Sequence, residues 1–322
     1  MSILQRISIF LITLIFTTHV KAQFKVVGYI RASGDIVSDL RKLDLGKVTH
    51  LNIAFINPDT SGYFRAFPAL DTVVSIAHAR KVKVLMSCGG GSRHVYYARL
   101  LSDGWRPAVV DRFIAFVDRY QLDGIDVDIE GDDIDSNYEN FVVALKTPLQ
   151  SRRKLLTAAL AYYTRNRISD KALQQFDFIN MMAYDKTGPW RLTDPAQHAP
   201  MSYAVDHLDY WSHERKVPKE ELVLGLPFYG YGFGPLPDTN RIFRSMSYKD
   251  IIARFPGAEK QDEIQFPGNG GTLYYNGMPT IRDKTALALQ RGGGVMIWHL
   301  LGDSSGTHSL LNVIHETVEK NK

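Results

Sequence analysis

The stretch from residue 122 to residue 130 reads Leu122-Asp123-Gly124-Ile125-Asp126-Val127-Asp128-Ile129-Glu130. Successive side chains of a β-strand point to opposite faces, so Asp126, Asp128 and Glu130 share one face. Val127 and Ile129 occupy the other face, where covering helices are expected. Three carboxylates in a row contribute nothing to packing. The stretch therefore predicts a buried strand that carries a functional row of acids.

The crowding of these carboxylates predicts acid–base chemistry. Like charges this close cannot all ionise cheaply, so at least one acid should keep its proton at neutral pH. A protonated carboxyl can serve as a general acid. Glu130 stands last in the row, at the C-terminal end of the strand, and is the candidate acid. The alternatives are a hard-cation site and a solvated edge strand. No histidine accompanies the row and its apolar neighbours disfavour solvation, so catalysis is preferred.

Seven further runs resemble strands covered on both faces, because they are nearly continuous in Val, Ile, Leu, Phe and Ala. Helical patterns lie between them, such as Val109, Phe113 and Val117. Repeated strand–helix units predict the α/β class and a (β/α)8 TIM barrel. An open doubly wound sheet would need a glycine-rich phosphate turn after its first strand, which residues 28–31 lack. The eight candidate strands are Lys25–Ile30, Val48–Ile56, Val82–Ser87, Gly124–Glu130, Leu155–Ala161, Phe178–Tyr184, Leu222–Phe228 and Gly294–Trp298.

One connection is much longer than the others. Residues 230–283 separate the last two candidate strands and contain five prolines, a Gly-Asn-Gly-Gly run and a helical patch at Tyr248–Phe255. This connection predicts a small α+β insertion, residues 232–282, on the rim of the barrel. We expect residues 23–322 to form one catalytic barrel with that insertion.

Residues 1–22 have the pattern of a signal peptide. Arg6 precedes the apolar run 7–16, and Val20-Lys21-Ala22 offers a cleavage site. The alternative is a membrane anchor, but the run is shorter than the roughly 20 residues that span a bilayer. Removal of Arg6 and Lys21 lowers the formal net charge from +4 to +2. We therefore expect a secreted or periplasmic protein without a membrane anchor after cleavage, and no nucleic-acid partner.

The remaining reactive side chains do not form recognisable sites. Cys88 is the only cysteine, so no disulfide can form within the chain, and it is expected to be a small buried apolar residue. The histidines lack metal-ligand spacing. Gly89-Gly90-Gly91 is not followed by Lys-Ser or Lys-Thr, so a tight turn is favoured over a phosphate loop. We expect neither a metal nor a cofactor.

Several motifs together resemble those of glycoside hydrolase family 18, the chitinases and their relatives. Its signature is similar to Asp123-Gly124-x-Asp126-x-Asp128-x-Glu130. Four more motifs fall on the candidate strands, and Tyr231 departs from the pattern because many relatives carry Arg there. The four motifs are Ser87-Cys88-Gly89-Gly90, Phe178-Ile179-Asn180-Met181-Met182-Ala183-Tyr184-Asp185, Leu224-Gly225-Leu226-Pro227-Phe228-Tyr229-Gly230 and Gly293-Gly294-Val295-Met296-Ile297-Trp298.

The resemblance implies substrate-assisted catalysis, which this family uses in place of a second carboxylate nucleophile. Glu130 would protonate the glycosidic oxygen, and the 2-acetamido oxygen of the substrate would attack. Asp128 would hold the acetamido N–H, and Tyr184 would donate a hydrogen bond to the acetamido oxygen. Asp126 would share a proton with Asp128.

The resemblance also implies a sugar-binding surface. Trp298 would form the floor beneath the reacting sugar, and Tyr29 and Ser87 would support Asp126. Non-proline cis peptides are expected at Ala54–Phe55 and Trp298–His299. The candidate substrate-binding residues are Tyr29, Phe55, Ser87, Gly90, Met182, Asp185, Trp190, Tyr229 and Trp298.

The implied activity is hydrolysis of β-1,4-linked N-acetylglucosamine, as in chitin or chito-oligosaccharides. An endo-β-N-acetylglucosaminidase that cuts the chitobiose core of N-glycans shares the same catalytic strand and remains an alternative. A chitin-binding lectin is disfavoured because such relatives usually lack the acid, whereas Glu130 is present. The expected partner is a carbohydrate that contains N-acetylglucosamine, and the expected state is a monomer.

Overall fold

The computed structural model describes residues 23–236, 244–266 and 270–321. Its centre is a closed barrel of eight parallel strands, in which each strand pairs with its neighbours and the last pairs with the first. The predicted (β/α)8 barrel is thus confirmed. The barrel strands are β1 Lys25–Arg31, β2 His50–Ala54, β3 Lys83–Gly90, β4 Gly124–Ile129, β5 Leu155–Ala161, β6 Phe178–Met182, β7 Leu222–Pro227 and β12 Gly294–Trp298.

Helices surround the barrel because each presents an apolar face to the strands. Val109, Phe113 and Val117, on the helix Arg106–Arg119, are fully buried, as their helical spacing predicts. Helix α7 continues into a π-helical turn, residues 210–214. The helices are α1 Ile36–Arg41, α2 Ala69–His78, α3 Tyr97–Leu100, α4 Arg106–Arg119, α5 Tyr138–Ser151, α6 Asp170–Leu173, α7 Met201–Asp209, α8 Tyr248–Arg254, α9 Met278–Arg291 and α10 Leu310–Lys320.

The buried apolar residues form two clusters, one between the strands and the helices and one inside the barrel. Val127 and Ile129 point outward into the large cluster between strands and helices. A smaller cluster inside the barrel includes Tyr29, Tyr184 and Met296. The outward cluster stabilises the fold, so the inward face of β4 is left for polar groups.

The long connection after β7 forms a four-stranded antiparallel sheet in the order β10-β11-β8-β9. The amide of Phe228 donates to the carbonyl of Trp298 (2.9 Å), which joins the start of this insertion to the end of the last barrel strand. The predicted insertion between the seventh and eighth barrel strands is confirmed. Its strands are β8 Tyr229–Phe233, β9 Met246–Ser247, β10 Glu263–Gln265 and β11 Thr272–Tyr274.

Two predicted strand ends were wrong in a way that matters for the site. β4 ends at Ile129 and β6 ends at Met182, so Glu130 and Tyr184 lie just beyond their strands. Glu130 keeps extended backbone angles, φ −124° and ψ 164°, and so still faces inward. The expected signal peptide, residues 1–22, lies outside the described residues. Within the described part, no helix is both long and apolar enough to cross a bilayer.

Candidate active site

Strand register brings hydrogen-bond donors around Asp126. Across the parallel ladders, Asp126 is level with Ser87 on β3 and with Thr157 on β5. Asp126 itself is fully buried. Its Oδ2 accepts from the hydroxyls of Tyr29 (2.6 Å) and Ser87 (2.7 Å). Its Oδ1 accepts from the hydroxyl of Thr157 (2.6 Å) and the amide of Asn180 (3.1 Å).

Burial and these four bonds act in opposite directions on the charge of Asp126, and burial is the larger effect. Burial raises the pKa of Asp126, and the hydrogen bonds from Thr157, Tyr29, Ser87 and Asn180 oppose that rise. A carboxylate that accepts four hydrogen bonds is stabilised in its ionised form. Asp126 is therefore the member of the row best equipped to carry a negative charge inside the barrel.

Asp128 has the opposite environment. It is 3% exposed, and its Oδ1 has no hydrogen-bond partner among the described residues. Burial, followed by the charges of Glu130 and Asp126, raises its pKa well above the ordinary value. Burial and the neighbouring charges therefore favour the protonated form of Asp128, which is the direction expected for at least one acid of the row.

Glu130 combines burial with access to an open pocket. Burial raises its pKa to about 7, and the negative charge of Asp185 acts in the same direction. A hydrogen bond from Tyr163, at 3.5 Å from Oε2, lowers it. A general acid works best when its pKa is close to the operating pH. Glu130 can therefore release and recover a proton near neutrality.

An aromatic floor lies beside the acids. The rings of Phe55 and Trp298 stack with centroids 5.6 Å apart, and Tyr29 meets the Trp298 indole edge-on at 5.5 Å. Ala54–Phe55 and Trp298–His299 are both cis, as predicted. Gly90 has φ +97°, and a Cβ there would lie 2.6 Å from the Phe55 ring. Only glycine fits at this position beneath the floor.

A pocket opens next to Glu130, and the remaining candidates line or flank it. Met182, Tyr184, Asp185 and Trp190 line it together with Gly91. Trp190 is 62% exposed, as an outer sugar platform requires. The hydroxyl of Tyr184 donates to the Met296 sulfur at 3.6 Å.

Tyr229 flanks this pocket through Asp185, to whose carboxylate its hydroxyl donates a hydrogen bond. The structure therefore brings all thirteen candidate residues to one end of the barrel. Asp126 and Ser87 are fully buried beneath the surface of this end of the barrel.

Sequence reasoning missed four residues that shape the site: Thr157, Asn180, Tyr163 and His198. Asn180 was detectable, because it lies two residues before Met182 and so shares one face of β6 with it. Thr157 is found only when the register of β4 and β5 is known. Tyr163 follows β5 in a 3-10 segment and His198 lies in a loop, so no periodicity indicates either.

The model of the glycosyl hydrolases family 18 matches residues 25–303, a range that contains the carboxylate strand and the floor. The chain belongs to glycosyl hydrolase family 18. The GH18 chitinase ChiB from the chitin utilization locus of Flavobacterium johnsoniae is similar, with 39% identity and a TM-score of 0.85 over 94% of this chain and 96% of that one. A chitinase from Bacteroides thetaiotaomicron has 27% identity and a TM-score of 0.79 over 92% and 96%. Class V chitinase CHIT5 of Lotus japonicus is 26% identical over 83% of this chain and 80% of that protein.

Family 18 membership accounts for the arrangement of the acids. The chain is a glycoside hydrolase of the chitinase type, with its acids at the C-terminal end of the barrel, where active sites of this fold lie. Across the described ranges, no group of three or more His, Cys, Asp or Glu is arranged to hold a metal ion.

Proposed function

We propose that this family 18 enzyme hydrolyses β-1,4-linked N-acetylglucosamine polymers by substrate-assisted catalysis with net retention. One observation carries the proposal: neither inner acid of the row is suited to attack a sugar. Asp126 is fully buried and engaged by four donors, and Asp128 is buried with its pKa well above the ordinary value. The resemblance to family 18 then implies that the nucleophile comes from the substrate, since this family works by substrate-assisted catalysis.

The first half of the reaction places one group at each reacting atom. Glu130 gives its proton to the glycosidic oxygen, and the bond from that oxygen to C1 breaks. The 2-acetamido oxygen attacks C1 and forms a cyclic oxazolinium ion. Asp128 accepts a hydrogen bond from the acetamido N–H. The carboxyl proton of Asp128 passes toward Asp126, so that the negative charge left on Asp128 faces the cation. Tyr184 donates its hydroxyl hydrogen to the acetamido oxygen and aligns it.

The second half returns the enzyme to its starting state. Glu130, now ionised, takes a proton from water, and that water attacks C1 and opens the ring. The intramolecular nucleophile has already lost its translational freedom, an advantage worth up to roughly 7–11 kcal/mol in favourable cases. The Trp298 floor holds the sugar ring in place during both halves.

Product analysis tests the substrate class. Residues 23–322 should be incubated with colloidal chitin, with chitin oligomers and with a high-mannose glycoprotein, with Glu130→Gln as the matched inactive control. We expect short N-acetylglucosamine oligomers from the first two substrates and no released glycan from the third. Glycan release without chitin cleavage would instead assign the enzyme to the N-glycan core. Binding of chitin oligomers without cleavage would make it a lectin.

We also propose that the enzyme is exported and acts as a monomer. The support is the pattern of residues 1–22, which places cleavage after Ala22. N-terminal sequencing of the exported protein should start at Gln23, and light scattering should give the mass of one chain. A protein recovered with Met1 intact in the membrane fraction would contradict export.

A further inference from the structure

A buried histidine stands behind the acidic residue that faces the pocket. His198 is fully buried, and its Nδ1 lies 3.4 Å from Oδ1 of Asp185. Its ring packs between two tyrosines of β8, with centroid distances of 5.1 Å to Tyr229 and 4.9 Å to Tyr231. Neither ring nitrogen of His198 has a hydrogen-bond partner among the described residues, which is costly for a buried imidazole, and the 3.4 Å approach to Asp185 is the contact that can offset this cost. The Asp185 carboxylate is the acid within ion-pair range of this ring among the described residues.

The backbone around His198 is fixed by groups other than its own side chain. Buried Lys284 on α9 and the Asn276 amide both donate to the carbonyl of Ala199, at 2.7 and 3.1 Å. Gln197 donates to the carbonyl of Tyr275 at 2.6 Å, which ties the loop to the insertion. The imidazole is thus held rigidly, and its replacement should leave the loop in place.

Asp185, in contrast, depends on surrounding contacts to keep its conformation. Its backbone has φ +59°, in the left-handed region, and its side chain is 38% exposed. Such a conformation at a residue other than glycine persists where the surroundings enforce it, commonly at functional sites. The Tyr229 hydroxyl donates to the same Oδ1 that faces His198. Tyr231 also hydrogen-bonds to this carboxylate, so His198 is one of three side chains that keep it from turning into solvent.

We propose that His198 is a positioning residue for the candidate acid: its imidazole keeps the Asp185 carboxylate on Tyr229 and so fixes the negative charge that Glu130 experiences. The proposal rests on the proposed function, in which Glu130 is the acid. It identifies a residue that acts on the acid from a loop, through one intermediate carboxylate.

The charged and titratable groups around His198 and Glu130 set the direction in which the pKa of Glu130 should change. His198, in the loop after β6, faces the Asp185 carboxylate and the phenol rings of Tyr229 and Tyr231 on β8. Burial and the Asp185 charge both raise the pKa of Glu130. If Asp185 swings into solvent, its charge acts on Glu130 through water and is screened. The groups that face Glu130 or line its pocket are Asp128, Tyr162, Tyr163, Tyr184, Asp185, Lys186, Arg191 and Tyr203.

The variant that tests this is His198→Phe, which keeps a ring between the tyrosines and removes both nitrogens. With penta-N-acetylchitopentaose, the alkaline limb of the kcat/KM profile should move to lower pH by about half a unit or more, because Glu130 loses the field that keeps it protonated. His198→Asn places an amide nitrogen where Nδ1 lies and should return the limb toward that of the unmodified enzyme. An unmoved or upward-shifted limb in His198→Phe, or an Asn variant no better than Phe, would overturn the proposal.

His207→Phe is the matched control. His207 is also fully buried, but its ring packs on Tyr162 and Tyr203, at 4.9 and 4.7 Å, away from the Asp185 carboxylate. In His207→Phe, the alkaline limb of the kcat/KM profile should stay in place. An equal shift would mean that loss of any buried histidine in this layer moves the limb. If His198→Phe does not fold, His198→Leu replaces it.

A direct titration separates this proposal from the proposed function. Carbon NMR of the labelled glutamate carboxyls, with Glu130→Gln to assign the signal, reports the pKa of Glu130 without turnover. A lower pKa in His198→Phe supports the positioning role even for a chain that cleaves no chitin oligomer, a result that would count against the proposed function alone. An unchanged pKa in an enzyme that cleaves the oligomer would remove the positioning role alone. In an Asp185→Asn background, His198→Phe should add no further shift.

Discussion

The Tyr163 hydroxyl lies 3.5 Å from Oε2 of Glu130, and Tyr163 is 68% exposed. Its hydrogen bond favours the ionised acid and lowers the pKa of Glu130, against burial and the Asp185 charge. Two neighbours therefore shift the pKa of Glu130 in opposite directions: Tyr163 lowers it and Asp185 raises it. Tyr163 is open to solvent, whereas Asp185 is held by Tyr229 and His198.

Tyr163→Phe should move the alkaline limb of kcat/KM upward. The substitution removes a bond to the charged form of Glu130, so the pKa of Glu130 rises and the acid stays protonated to higher pH. An exposed hydrogen bond of this length supports a shift of only about 0.3–0.5 unit. Rates with a chitin oligomer across pH 5–9 measure it. A downward shift would show that the phenol does not interact with the ionised acid.

Glu130→Gln should abolish catalysis without loss of fold. Loss of a general acid typically costs about 10²–10⁴-fold in rate, and here the same group also serves as the base. Glu130→Asp is the informative companion, because it keeps the acid and withdraws it by one methylene. Retention of more than about a tenth of the activity by the Gln variant would exclude Glu130 as the acid.

The same Gln variant should also change how stability depends on pH. The folded-state pKa of Glu130 is raised to about 7, so ionisation within the fold is unfavourable. That destabilisation is absent below the unfolded-state pKa of about 4.3, grows between the two values and is complete above pH 7. Glu130→Gln should therefore melt close to the unmodified chain at pH 4 and above it at pH 8. A gap between the two melting temperatures that narrows as the pH rises would contradict the raised pKa.

The fold was predictable because each barrel strand can be recognised from its own short stretch of sequence. Runs of apolar residues marked all eight strands, and period-two alternation placed Asp126, Asp128 and Glu130 on one face. What failed depended on contacts that are distant in sequence. The 3.4 Å approach of His198 to Asp185 depends on where a loop is fastened, and the Thr157 bond to Asp126 depends on strand register. Neither leaves a periodic trace in the sequence.

The position of a residue within the motif was likewise insufficient to assign its role. Asp123, the first acid of the signature, lies at the opposite end of the barrel. It accepts from the Val84 amide at 2.8 Å and lies 2.7 Å from Nε2 of His78. Its task there is to join β3 to β4. Only the alternation that starts at Asp126 marks residues for chemistry.

Thr157→Val should test whether the charge on Asp126 matters. The substitution keeps the shape of the side chain and removes the 2.6 Å bond to Oδ1. A buried acceptor that loses its donor typically destabilises the fold by about 1–3 kcal/mol. The pKa of Asp126 should rise, which shifts the proton shared with Asp128 toward Asp126 and so changes kcat while KM changes little. Denaturant unfolding and steady-state kinetics measure the two effects. Unchanged kcat in a destabilised variant would reduce Thr157 to a structural role.

The requirement for a 2-acetamido group tests the mechanism itself. Cellulose carries a hydroxyl at that position and fully deacetylated chitosan an amine, and neither can form the oxazolinium ring. We expect no cleavage of either polymer. A thiazoline mimic of the cyclic intermediate should inhibit, because it resembles a species that the site is built to stabilise. Asp128→Asn and Tyr184→Phe should weaken this inhibitor as well as the rate, since both residues are assigned to the acetamido group.

The stereochemistry of the first product then decides where the nucleophile resides. The acetamido oxygen attacks C1 from the face opposite the leaving group, and water opens the ring from the first face. Two inversions give net retention, so fresh product from a chitin oligomer should be the β-anomer, visible by proton NMR within minutes of mixing. A direct attack by water inverts once and gives the α-anomer. An α-anomer first, or turnover of cellulose, would remove the substrate-assisted mechanism. One of the inner acids would then have to act as base or nucleophile. That role conflicts with the four donors that bind Asp126 and with the burial that raises the pKa of Asp128. The barrel interior would therefore have to rearrange when substrate binds, a change that a complex with an unreactive oligomer would reveal in the distances around Asp126.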